Sequence, residues 1–259
     1  MFEGFADILR TIKMPQLVFY MAWSDVRARY KRSVLGPLWI TLGTAVSIFA
    51  FGFIWSELLH MKRETFVPIL TTGLILWQFM SACITEASSC FSRQASIIRN
   101  LDLPLSLHPA QLILRHCINL LHNVPLLLAV ILIMGIPFSL NMLWVFPAFL
   151  LVTANLFWMS MLIGVLGARF RDFEYMIGMI VPLLMFLSPV LFRPDALPFS
   201  GKYIWLNPFA DMIELLRHPL LGEAIPDFLW WINLGMLLIG GTLTIMFFSS
   251  KFKRIAFWV

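Results

Sequence analysis

The chain has 259 residues, 60% of them hydrophobic and 13% charged, with a formal net charge of +5. A soluble domain carries about 25% charged residues, so this chain has too few polar side chains to cover a core of its size, and the excess apolar surface must face lipid. The positive charge is not that of a nucleic-acid binder, because the Lys and Arg residues lie between apolar stretches and form no basic face with stacking aromatics.

Met1 to Lys13 carries Glu3 and Asp7 in a mixed pattern. It lacks the basic start and apolar run of a cleavable secretory signal. Residues 14–32 mix Leu17, Tyr20, Met21 and Trp23 with Asp25, Arg27, Arg29 and Lys31, which predicts a helix lying on the membrane surface. Beyond it, charge-free intervals mark the spans, because an ionised side chain is costly at the bilayer centre. They predict crossings at about 34–56, 66–86, 112–134, 142–167, 175–192 and 228–250. Each is near the roughly 20 residues that a helix needs to cross about 30 Å of hydrocarbon. The third and fourth come from one long run between Arg115 and Arg169, divided at Gly135-Ile136-Pro137-Phe138-Ser139-Leu140-Asn141.

Two connections are more than turns. In residues 87–106, Arg93, Arg99 and Asp102 alternate with Ile97, Ile98 and Leu101, which predicts a short amphipathic helix outside the membrane. In residues 193–227, Asn207-Pro208 opens a helical run that Pro219 and Gly222 close. This segment predicts two short helices dipping back into the membrane. Pro182 and Pro189 interrupt the fifth span; a broken helix there lines a pathway or gate, or is a kink filled by a neighbour. The expected fold is therefore an all-α integral membrane protein, one domain over 1–259. It has six spans, an N-terminal interfacial helix and a re-entrant helical hairpin between spans five and six. Fourteen of the 19 Lys and Arg residues fall on the side of both termini, which places the termini in the cytoplasm.

The sequence offers no site for covalent chemistry. The phosphate cradle Gly-x-x-x-x-Gly-Lys-Ser/Thr is absent, and Gly201-Lys202 lacks both the upstream glycine and the following hydroxyl. His60, His108, His116, His122 and His218 do not cluster at ligand spacing, and Cys83, Cys90 and Cys117 read as small apolar residues. No cofactor, metal or catalytic residue is expected in this chain. Glu86 and Arg115 are the ionisable residues nearest membrane depth. Either they form a buried pair, since intramembrane charge usually has a partner, or both reach the interface. Exchange of the two charges tests the pairing.

Four stretches resemble the permease subunits of ABC-2-type exporters for O-antigen, capsular polysaccharide and teichoic acid. They are Arg27-Ala28-Arg29-Tyr30-Lys31-Arg32-Ser33-Val34-Leu35-Gly36-Pro37-Leu38-Trp39; Ile97-Ile98-Arg99-Asn100 with Leu103-Pro104; Leu206-Asn207-Pro208 with Glu214 and Arg217; and a basic, aromatic C-terminus. The resemblance implies a homodimer of six-span subunits around a central channel in the bacterial inner membrane. Two separate ATPase subunits would bind ATP and Mg. The substrate would be an undecaprenyl-pyrophosphate-linked glycan, O-antigen foremost, with capsular polysaccharide or teichoic acid as the alternatives. It further implies that Arg27, Arg29, Tyr30, Arg93, Ile97, Ile98, Arg99 and Pro104 lie at the ATPase contact, and that Asn207, Pro208, Glu214 and Arg217 belong to gate helices. At Asn100-Leu101-Asp102 the chain departs from the family, where a second basic residue and an aromatic are common.

A sugar channel would carry aromatic side chains, because sugar rings present apolar faces. Trp39, Phe49, Phe53, Tyr175 and Phe186 are candidates, though lipid-facing or interfacial aromatics have the same look. Phe49, Phe51 and Phe53 step by about 200° on a helix and cannot all face one pore. Arg27 and Arg29 can attract a lipid pyrophosphate or act only as topology signals. An ion-coupled transporter would need charges deep in several spans, and a membrane transferase would need clustered acids. The sequence has neither pattern.

Overall fold

A computed structural model describes residues 2–58, 60, 62–194 and 201–259, and its regular structure is helical throughout. Residues 195–200 of the predicted 193–227 segment lie outside the described residues. The helices are α1 (Phe2–Ile12), α2 (Pro15–Tyr30), α3 (Leu38–Leu58), α4 (Arg63–Ala87), α5 (Ala95–Asn100), α6 (Leu107–Ile133), α7 (Val145–Arg169), α8 (Asp172–Leu187), α9 (Gly201–Ile204), α10 (Pro208–Leu220) and α11 (Asp227–Trp258).

Five helical stretches are long and apolar enough to cross a membrane: Leu38–Leu58, Arg63–Ala87, Leu107–Ile133, Leu140–Arg169 and Asp227–Trp258. The protein is thus a multi-pass, all-helical membrane protein. The interval expected to hold another span, 175–192, overlaps α8, which has 16 residues. That helix measures about 24 Å, short of a full crossing. It stops where Pro189 pushes Ser188 into extended backbone, φ −103° and ψ 152°. Pro182, by contrast, sits within α8.

The helix α4 is the axis of the bundle. It packs against α3, α6, α7, α8 and α10, and 78% of its apolar stretch is buried, against 17% for α3 and for α11. Small side chains allow such close approach in a membrane. A Cβ on Gly73 would lie 2.1 Å from the Val190 carbonyl, so the chain leaving α8 runs directly over that glycine.

The N-terminal region divides differently from expectation. The helix expected over residues 14–32 is α2; α1 precedes it, and α1 is the one with its apolar residues gathered on one side. Its polar side, Asp7 and Thr11, is buried against the bundle, while Phe5, Leu9 and Ile12 face outward. In α2 the exposed Phe19, Tyr20 and Trp23 stand on the outside, and Ala22 and Val26 pack on Ile118 of α6.

α10 lies alongside the middle of α4 rather than beyond its end. Phe209 meets Trp77 edge-on at 5.5 Å, and Phe209 through Arg217 are all buried. Pro208 opens the helix, and the Asn207 side chain accepts a hydrogen bond from the Phe209 N–H at 3.0 Å. Gly222, at φ +77°, supplies the left-handed turn that follows it.

Candidate functional site

Ionised side chains gather at two places in the bundle. At the end bearing α2 and α5 the centre is Glu86, on the last turn of α4. It pairs closely with Arg115 of α6, and it also lies 3.3 Å from Arg29 of α2, 3.7 Å from Arg93 and 3.6 Å from His116. Arg115 reaches Asp25 of α2 at 3.2 Å, and Gln111 donates to the same carboxylate at 2.8 Å. Arg93 stands 3.9 Å from Glu174 at the start of α8. One carboxylate thus joins α2, α4, α6 and the turn before α5. Glu86 and Arg115 are mostly buried, whereas Arg29 and Arg93 remain about half exposed.

The other coupling candidates lie around this centre. Arg27 is exposed on α2, and Tyr30 packs on the Ala22–Val26–Ile118 cluster. Ile97 is half-buried, Ile98 packs against the cluster that includes Phe91, Leu105, Phe248 and Ile255, and Pro104 is buried. Arg99 turns to the Val259 carbonyl at the end of α11. A cavity of about 380 Å³ opens beside these residues, between Ile98 to Leu105 and Phe252 to Ala256.

Asp7 was not singled out by sequence. Its buried carboxylate accepts hydrogen bonds from the Leu105 and Ser106 N–H groups at 2.9 and 2.8 Å, capping the first turn of α6 from α1. Thr11 bonds to Ser106 at 2.7 Å, and Arg10 lies 3.5 Å from Asp102. The unusual Asn100-Leu101-Asp102 stretch therefore has α1 as its neighbour. No local motif announces Asp7, whose partners lie nearly a hundred residues away.

Toward the other end, beside the middle of α4, the centre is Arg217, which has no exposed surface. Its guanidinium donates to Glu214, to Thr72 Oγ1 at 3.3 Å, and to the carbonyls of Pro189, Val190 (3.4 Å) and Phe192 (3.3 Å). Next to it, His218 lies between Glu214, at 3.6 Å, and Glu223, at 3.0 Å, and Arg193 closes on Glu223 at 2.6 Å. Burial raises the Glu223 carboxyl, but hydrogen bonds and charge from His218 and Arg193 outweigh it and bring the group down to about 2. Asn207 also donates to Ser188 Oγ at 2.9 Å. The gate candidates Asn207, Pro208, Glu214 and Arg217 are thus on one element, tied to the residues that follow α8. Thr72, Gly73, His218 and Glu223 complete that site and were not read from sequence.

The aromatic candidates are not drawn into an interior path. Trp39, Phe49, Phe53, Tyr175 and Phe186 are each more than half exposed, on α3 and α8. The buried stripe of α3 is Thr44, Ile48, Gly52 and Ser56, at helical spacing, and α8 buries only Ile177 and Val181. Phe186 lines an apolar cavity of about 480 Å³ with Phe192, Tyr203 and Asn207.

The ABC-2 type transporter family matches residues 16–221, from the start of α2 to just past α10. The chain belongs to that family. Among its relatives, an O-antigen export system permease protein RfbA of Klebsiella pneumoniae is 28% identical over 198 residues, covering 75% of this chain and 76% of the relative. A second Klebsiella pneumoniae RfbA is 26% identical over 73% of this chain and 74% of its own length. The Myxococcus xanthus RfbA is 20% identical over 82% of each. The ABC-2 match includes both charged centres and leaves α1, with Asp7, outside it.

Proposed function

We propose that two copies of this ABC-2 permease form the channel of an ATP-driven exporter that moves lipid-linked O-antigen polysaccharide across the bacterial inner membrane. The observation that carries the reading is the match of three quarters of the chain to O-antigen export permeases. The molecule fits it in three respects. The helices α3, α4, α6, α7, α8 and α11 make six crossings, with α8 completed by the residues that follow it. The outward faces of α3 and α8, with Trp39, Phe49, Phe53, Tyr175 and Phe186, are available to a second copy and to glycan passing between the two. Both termini then lie in the cytoplasm, on the side richer in Lys and Arg.

On that orientation the Glu86 centre and the cavity beside α5 face the cytoplasm. Separate ATPase subunits dock there against Arg27, Arg29, Tyr30, Arg93, Ile97, Ile98, Arg99 and Pro104, and ATP with Mg is bound by those subunits alone. The outward apolar residues of α1 and α2 rest in the membrane interface. The helices α9 and α10 form the re-entrant gate on the far side, where α10 reaches the middle of α4. Arg27 and Arg29 also attract the pyrophosphate of the lipid carrier.

The test is co-purification. An ABC ATPase expressed with this chain should be recovered with it in detergent, and its hydrolysis rate should depend on the permease. Arg99→Glu should weaken recovery while leaving the permease in the membrane. A chain that exports with no ATPase bound overturns the proposal.

A further inference from the structure

Between α3, α4 and α6 lies a cavity of about 250 Å³ with Arg29 and Glu86 at one end. A water molecule takes about 30 Å³ of liquid volume, so there is room for about eight. The wall is polar for a space among membrane helices: Gln78, His116, Asn119 and Asn123 line it along with the two charged residues. Polar side chains between membrane helices normally bond to one another across the seam. Here they do so incompletely. Gln78 Oε1 accepts from Thr44 of α3 at 2.9 Å and from Asn123 at 3.4 Å, and Thr41 donates to the His122 carbonyl at 2.7 Å. Asn119 Oδ1 and Asn123 Oδ1 have no protein partner although both atoms are buried, and Asn123 as a residue is 3% exposed.

A buried amide oxygen without a donor is costly in hydrocarbon, and the unmet amide atoms here are acceptors, so an occupant that donates hydrogen bonds is favoured. Along α4 the cavity runs from Glu86 to Ile75, about 16 Å at 1.5 Å per residue, or half of a hydrocarbon core of about 30 Å. We propose that this cleft is a hydrated crevice within one copy of the chain, admitting water and small hydrophilic solutes from the Arg29 end to about half the depth of the membrane. It rests on the membrane placement proposed above. It is separate from the outward faces of α3 and α8, since its wall is the inward side of α3.

The crevice is tested by modification of single added cysteines in the full chain, in membrane vesicles. The reagent is a membrane-impermeant trimethylammonium thiosulfonate, and the parent chain, with Cys83, Cys90 and Cys117, sets the background. Arg29→Cys marks the mouth, Asn119→Cys and Asn123→Cys the interior, and Leu121→Cys the lipid-facing side of the same helix. Asn119→Cys and Asn123→Cys should react from the same membrane face as Arg29→Cys, and about a hundredfold faster than Leu121→Cys, the factor that exclusion of a charged reagent from hydrocarbon gives. If Asn123→Cys does not fold, Asn119→Cys carries the test. Interior positions as slow as Leu121→Cys, with Arg29→Cys reactive, would overturn the crevice. The labelling needs neither ATPase nor glycan, so its failure and that of the export reading are told apart.

Discussion

Arg217 is wholly buried and has five oxygen partners, three of them backbone carbonyls. Glu86, on the last turn of α4, is 18% exposed and is shared among Arg29, Arg93, Arg115 and His116, two of which are half in solvent. Carbonyl partners cannot be exchanged without moving the chain that carries them, whereas long side chains around one carboxylate can trade places at small cost. The α10 end is therefore built as a fixed joint and the α2 end as an adjustable one. That suits the ATPase docking proposed at the adjustable end.

Breaking the fixed joint should have the largest effect. Glu214→Ala leaves the Arg217 guanidinium buried without an anion, which costs about 3–5 kcal/mol; thermal unfolding in detergent should show a large drop or no folded protein. Gly73→Ala comes next, because its Cβ would meet the Val190 carbonyl of the chain held by Arg217, at a cost of about 1–3 kcal/mol.

The adjustable joint should respond less in stability and more in function. Arg29→Gln removes a half-exposed pair worth about 0–1 kcal/mol, so folding and insertion should be unchanged while export falls. Normal export by that variant removes Arg29 from the lipid-binding role. The joint also alters the expected charge exchange between Glu86 and Arg115. Glu86→Arg would face Arg29 and Arg93, and Arg115→Glu would face Asp25, so the double exchange should recover only part of the function lost in either single change.

The smallest effect is expected at Glu223. Its folded value, about 2, lies below its ordinary 4.5, so its contribution is present above about 4.5 and lost as pH falls toward 2. The difference in melting temperature between the wild type and Glu223→Gln should shrink as the pH falls below about 4.5.

What could be read in advance follows from the range of the interactions. Arg32 and Glu57 border α3, and Asp227 and Lys251 border most of α11, because the cost of charge in lipid is written locally. The start and stop of α10 were equally local, in Asn207-Pro208 and Gly222. The break near Pro189 was legible in the same way, and α8 ends just before it, at Leu187. Glu86 and Arg115 were visible as a candidate pair from depth alone, but Asp25 reaches them through the packing of α2 against α6, His116 through that of α6 against α4, and Arg93 from the turn before α5, which no spacing reveals. Asp7 and Thr72 act on partners that are distant in the chain, and neither carries a motif.

The central claim is tested most directly by reconstituting the permease with an ABC ATPase in liposomes bearing lipid-linked O-antigen and measuring the glycan that reaches the opposite leaflet. The account predicts movement that requires ATP, the ATPase and the permease together, and that stops when hydrolysis is blocked. Movement driven by an ion gradient without the ATPase would contradict it.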